Sequence, residues 1–268
     1  MRSFWNRNLA TFQLAITSNL EYRFNYFVDA LLQPTISTLI ELLLWTAVFR
    51  SLGSQQLAGF SEQHYLVYAL WAPFFSRVGV NWMYEFRMIN DIESGSLNSI
   101  LMRPTSFYEY YISQLMGYKI LTASVSFSIP LVACWYFDLP LNLSRLPLAI
   151  LLVFYYLILV YTMSFLVSTL AFYWNRVHSL TAVKNLSLWF LSGELIPLDL
   201  FPEPWKQILT SLPFSSGAFI PTGYITGRIE IEQVLVSFLS ISAFLLFLGG
   251  LSFFLWRIGL RNYSGTGA

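Results

Sequence analysis

The chain has 268 residues, enough for one or two soluble domains, yet 56% are apolar, 11% are charged and the mean hydropathy is +0.58. That balance belongs to a membrane protein, and a net charge of +1 excludes a globally basic nucleic-acid binder. The single cysteine, Cys134, excludes an internal disulfide and sits in an apolar run as a small buried hydrophobe, while His64 and His178 lie far apart without nearby cysteines and offer no metal site.

Residues 1–23 contain no uninterrupted apolar core after the arginines, so they do not read as a cleavable signal. On a helix, Trp5, Leu9, Phe12, Ile16 and Leu20 share one face, which predicts a helix lying in the membrane interface. Six spanning stretches follow, at roughly 27–49, 63–84, 115–137, 147–172, 182–200 and 232–256, each near the ~20 residues that a bilayer core requires. Trp45, Trp82, Trp135, Trp174 and Trp256 recur near their ends as interfacial anchors. With six spans both termini share a side, and that side collects ten Lys and Arg against four on the other, leaving out Arg77 within a span. The asymmetry puts both termini in the cytoplasm. Residues 261–268 end in the small, polar Ser264–Ala268 stretch, expected to be disordered.

Two stretches stand out between these spans. Between spans two and three, an acidic start (Asp91, Glu93), a glycine (Gly95), an apolar ridge (Leu97, Ile100, Leu101) and an Arg103-Pro104 stop describe a short helix at about 91–102. From Ser187 to Phe214, an apolar run breaks at Ile196-Pro197-Leu198-Asp199 and returns through an amphipathic piece with Trp205, Ile208, Leu209 and Leu212. Proline ends each piece because it lacks an N–H and clashes with the preceding turn. A helix that enters a bilayer, stops and folds back is written this way.

Gly193, Ile196-Pro197-Leu198, the Phe201-Pro202-Glu203-Pro204-Trp205 run and Leu212-Pro213-Phe214 resemble the fifth-helix and re-entrant region of ABC-2 type permeases, the membrane subunits of ATP-driven exporters. The likeness extends to Asp91–Pro104 and to the order of apolar segments, so it covers nearly the whole chain. The reading is then an all-α polytopic membrane protein: an interfacial helix at 1–23, a six-helix domain at 24–260 and extracytoplasmic re-entrant helices between spans five and six, at about 197–228. By the same resemblance the 91–102 helix is the coupling helix, seated in a groove of the ATPase. Asp91, Glu93, Leu97, Ile100, Leu101 and Arg103 lie at that contact, and Leu97, Ile100 and Leu101 are its anchors. The implied partners are two ATP-binding cassette ATPase subunits, which hold the ATP and Mg, and a second permease, identical or homologous. The implied place is the inner or plasma membrane with its lipids, with no nucleic acid. The implied cargo is amphipathic: a lipid, glycan or drug-like molecule, without further identity.

Inside the spans ionisable residues are expensive and face a partner or a cavity. Glu41 and Arg77 fall at depths differing by about one helical turn, which permits a structural pair, contact with substrate, or snorkelling of Arg77. Glu194 is expected near the outer end of span five, lining an exit gate or accepting backbone hydrogen bonds at the break. Tyr65, Tyr68, Trp71, Phe74 and Phe75 along span two form either a greasy path or ordinary packing. Pathway candidates are thus Glu41, Arg77, Tyr68, Trp71, Glu194, Pro197, Phe201 and Trp205. Leu191-Ser192-Gly193-Glu194 resembles an ATPase signature, but no phosphate loop and no Gly-Lys pair occurs, so these residues do not hydrolyse ATP by themselves. The alternative is an ATP-independent transporter or channel, which calls for charge relays and helices broken near the midplane. A membrane-embedded enzyme would require a His, Asp or Ser cluster in the spans, and the sequence has none.

Overall fold

The computed structural model of the chain describes residues 4–52, 56–174 and 176–263. Among these residues every regular element is helical except a two-residue hairpin pair, β1 (Gln56–Leu57) and β2 (Phe60–Ser61). Four stretches are long and apolar enough to cross a membrane: Arg23–Ser51, Phe107–Tyr136, Leu143–Phe172 and Ile231–Asn262. The first joins α2 (Arg23–Phe27), a π-helical turn at Val28–Leu32 and α3 (Gln33–Leu52). The Gln33 N–H reaches back to the Val28 carbonyl just ahead of Pro34, whose ring cannot donate to the previous turn. The second stretch joins α7 (Phe107–Ser126) and α8 (Ser128–Tyr136), the third holds α9 (Leu146–Thr169), and the fourth is α13 (Ile231–Asn262).

Helix α9 is the centre. It is apolar on all sides, with Pro147 in its first turn, where a missing N–H costs nothing. Leu152, Leu157, Leu159 and Tyr161 are fully buried, and α13 runs beside them.

The stretches expected as spans two and five do not meet the same length and apolarity. Residues 63–84 divide into α4 (Glu62–Gly79) and α5 (Trp82–Glu93), with Val80 extended between them. Helix α4 is interior rather than lipid-facing: Tyr65, Trp71 and Phe75 are fully buried in it. Helix α10 (His178–Leu191) has only 14 residues, about 21 Å against a core of about 30 Å. Gly193 ends it with a φ of 83°, a left-handed conformation that glycine adopts without cost. The chain then turns through Leu198–Leu200, α11 (Trp205–Ser211), Pro213–Gly217 and α12 (Phe219–Ile225). Helix α12 is buried against α4 and α9, and the Phe219 N–H bonds the Ser192 carbonyl at 2.9 Å. The returning segment therefore plugs the body beside α4, with Leu198 and Pro197 buried while Trp205 stays exposed.

Helix α1 (Phe4–Glu21) packs along α7 through buried Ala15, and Asn8 accepts from Ser113 at 3.2 Å. Leu9 and Leu20, on the apolar face expected to lie in the membrane interface, are exposed and point away from this contact. The Trp5 side chain and the Ser264–Ala268 tail lie outside the described residues.

The helix expected at 91–102 is two pieces. Helix α5 ends at Glu93, Gly95 turns with a φ of 80°, and α6 spans Leu97–Leu101. Leu97 and Ile100, expected as docking anchors, are 0% and 3% exposed, packed with Met88, Ile92, Phe107 and Tyr111. They hold α6 to its own body. The apolar surface left outside is Leu101, 42% exposed, and Met102, 83% exposed.

Candidate functional site

A cleft of about 260 Å³ lies between the first spanning helix, α4, α7 and the end of α10. Its charged lining comes from four elements: Asp29 in the π turn, Arg77 on α4, Lys119 on α7 and Glu194 just after α10. Arg77 Nη1 donates to Gln33 Oε1 at 3.1 Å, and Lys119 Nζ donates to the Arg77 carbonyl at 2.5 Å. Tyr118 donates to Asp29 Oδ2 at 3.2 Å, and Ser76 donates to the Glu194 carboxylate. The Glu41–Arg77 pair permitted by the sequence is not formed: no ion pair joins the two, and Arg77 bonds a neutral amide instead. Equal depth does not bring two side chains together, because Glu41 lies two turns further along the first helix than Gln33, which occupies the Arg77 donor.

Glu194 follows the end of α10, as expected for the end of span five. The Tyr68 hydroxyl donates to the Gly193 carbonyl at 2.6 Å, and Ser76 donates to Glu194, so the break lies between the levels of Tyr68 and Ser76. That is alongside the middle of α4. A second polar cavity, of about 290 Å³, sits on the other side of this contact. Tyr68, Asp199, Lys206 and Arg228 line it, with Asp199 paired to both Arg228 and Lys206. The Arg228 guanidinium also stacks 3.6 Å over the Phe60 ring, and burial lowers its pKa from the usual arginine range. Tyr68 lines the second cavity and Glu194 the cleft, so the two polar spaces lie on either side of the break.

Of the remaining pathway candidates, Trp71 is fully buried among Phe74, Phe75 and Phe127, its indole N–H 3.3 Å from the Cys134 sulfur. That is packing. Phe201 packs on Phe190 with ring centres 5.5 Å apart, beside the break.

Below the cleft lies an ion pair that sequence reasoning missed. Lys184 on α10 bonds Glu85 on α5, with both side chains buried, and Lys184 also donates to Ser164 on α9 at 2.6 Å. Ser164 in turn donates to Asn81 Oδ1 at 2.7 Å. Lys184 and Lys119, each just inside an expected span, count with the cytoplasmic charges in the sequence; both are interior, and without them eight stand against four. Periodicity alone could not reveal the pair, because its members are 99 residues apart. Nearer the turn, His178 stacks on Phe86 at 4.9 Å and lies 3.6 Å from Glu93. Asp91 accepts from Tyr111, and Arg103 lies 4.9 Å over the Tyr110 ring. The charges assigned to the coupling helix are thus tied first to this chain.

A helical body with four apolar crossing segments, charged side chains in an interior cleft and a broken helix beside it defines a multi-pass membrane protein of the transporter class. The family model described as ABC-2 family transporter protein matches residues 35–267, and the chain belongs to that family. Among curated proteins, none matches the chain.

Proposed function

We propose that the chain is the permease subunit of an ATP-driven ABC-2 type exporter. Two permeases, identical or homologous, pair in the membrane, and two separate ATPase chains bind beneath them with ATP and Mg. In this reading α4–α5 and α10 with its returning segment complete six crossings, the termini are cytoplasmic, and α6 with its flanks couples to the ATPase. The contact uses Leu101, Met102 and Arg103, which are exposed at the end of that turn. The observation that carries the reading is the closed Tyr68–Gly193 and Ser76–Glu194 contact between two polar cavities, in a chain of this family. Helix α10 is pinned to α5 by Lys184–Glu85 and by His178, so a push on the α5–α6 turn would reach Gly193 at the far end of α10.

One observation favours the ATP-independent alternative: α10 ends beside the middle of α4, with charges around the break, as such transporters are built. A single experiment separates them. Copurification from native membranes recovers an ATPase chain, and vesicles holding both hydrolyse ATP while the permease alone does not. Transport by the permease alone, driven by an ion gradient, would remove the exporter reading.

A further inference from the structure

Asp29, Gln33, Ser37 and Glu41 recur every four residues and so climb one side of the first spanning helix. Beside them runs a second row at the same spacing, Val28, Leu32, Ile36 and Ile40, which is wholly apolar. Gln33 and Ser37 belong to two spaces at once: the charged cleft, and a shallow groove of about 460 Å³ on the outer face of the helix, floored by the apolar row. Gln33 and Ser37 therefore form the wall between the cleft and a face where Leu32, Ile36 and Ile40 are exposed. In a crossing helix that face meets hydrocarbon.

The charges in the cleft have an unusual relation. Two cations and two carboxylates line one small space, yet none of them pairs within 4.0 Å. Each carboxylate accepts from a hydroxyl, and each cation donates to a neutral oxygen. Interior charges normally find each other, as Glu85 and Lys184 do nearby. Here they are held apart on four separate elements, with room between them.

We propose that this cleft receives the head group of a zwitterionic amphiphile, an oxyanion and a cationic nitrogen on one short head, whose chain lies along the apolar row. The oxyanion faces the Arg77 guanidinium, whose planar fork suits it, and the cationic nitrogen faces Asp29 and Glu194. The head enters from the side of the bilayer past Gln33 and Ser37. This inference rests on the transport reading by naming its cargo class.

The test uses the isolated chain in detergent, titrated with phosphatidylethanolamine, phosphatidylglycerol and a dialkyl trimethylammonium lipid, with bound lipid read by native mass spectrometry. Phosphatidylethanolamine should bind at least about tenfold more tightly than either singly charged lipid. Arg77→Gln should weaken binding of the first two lipids and spare the cationic one, while Asp29→Asn combined with Glu194→Gln should spare phosphatidylglycerol and weaken the other two. General misfolding would not reverse the preference in this way. Ser37→Phe provides a variant outside the charged set: its hydroxyl bonds only the Gln33 carbonyl of its own helix, at 2.7 Å. It should reduce phosphatidylethanolamine binding with thermal unfolding unchanged. Equal affinity for the three lipids, or binding indifferent to all the variants, overturns the proposal. So does disulfide cross-linking of Ile36→Cys between two copies at full lipid occupancy, which would give the groove to a second subunit. No ATPase takes part in this titration, so its failure leaves the exporter reading standing or falling on ATPase capture alone.

Discussion

Tyr68 on α4 donates its hydroxyl hydrogen bond to the carbonyl of Gly193, at 2.6 Å, across 125 residues of sequence. The carbonyl lies just past the C-terminal end of α10, where helical partners have run out, so the tyrosine fixes the height at which that helix stops. Tyr68→Phe leaves this buried acceptor without its partner and should destabilise the fold by about 1–3 kcal/mol. Unfolding in mixed micelles measures it, and an unchanged midpoint would mean that the hydroxyl does not hold the break.

The Glu85–Lys184 pair should behave as an interior ion pair. Glu85 is 0% exposed and its Oε1 has no other partner. Lys184→Met alone should cost about 3–5 kcal/mol, because it strands a buried carboxylate, and adding Glu85→Leu should restore much of that loss. The same cycle on Glu41→Gln and Arg77→Gln should give additive effects, since those two residues make no ion pair. Coupling in the second cycle and none in the first would reverse both assignments.

Leu97 and Ile100 separate packing from docking. Leu97→Asp or Ile100→Asp places a carboxylate among Met88, Ile92 and Phe107 and should unfold the turn, with yield and thermal midpoint falling together. Leu101→Asp and Met102→Asp alter only exposed surface and should leave yield unchanged while releasing the ATPase. Copurification with each variant decides. Full ATPase retention in the Leu101 and Met102 variants would move the contact away from α6.

Orientation is testable by cysteine labelling in a Cys134→Ala background. Asn142→Cys and Lys206→Cys should react from outside, and Met102→Cys only after the cytoplasmic face is opened. External labelling at Met102 would put the α5–α6 turn out of reach of any ATPase.

Much of this chain was legible in its sequence. Composition alone placed it in a membrane, because 56% apolar residues in long runs cannot all be buried within 268 residues of soluble fold. The Gly193 to Pro213 punctuation marked a helix that stops and returns, since glycine and proline act locally. The four-residue row of Asp29, Gln33, Ser37 and Glu41 is equally present there, although hydropathy singles out Glu41 alone, deep in its span. What the sequence could not determine was facing. Leu97 and Ile100 are spaced as well for an outside groove as for an inside core, and only the packing of α6 on Phe107 and Tyr111 turns them inward. Lys184, just inside a span end, counts as a cytoplasmic boundary charge until Glu85 is found beside it. Helix periodicity fixes which residues share a side, whereas the partner of that side is decided by elements far along the chain, through burial and charge compensation that exist only once α4, α5, α7, α9 and α10 have met.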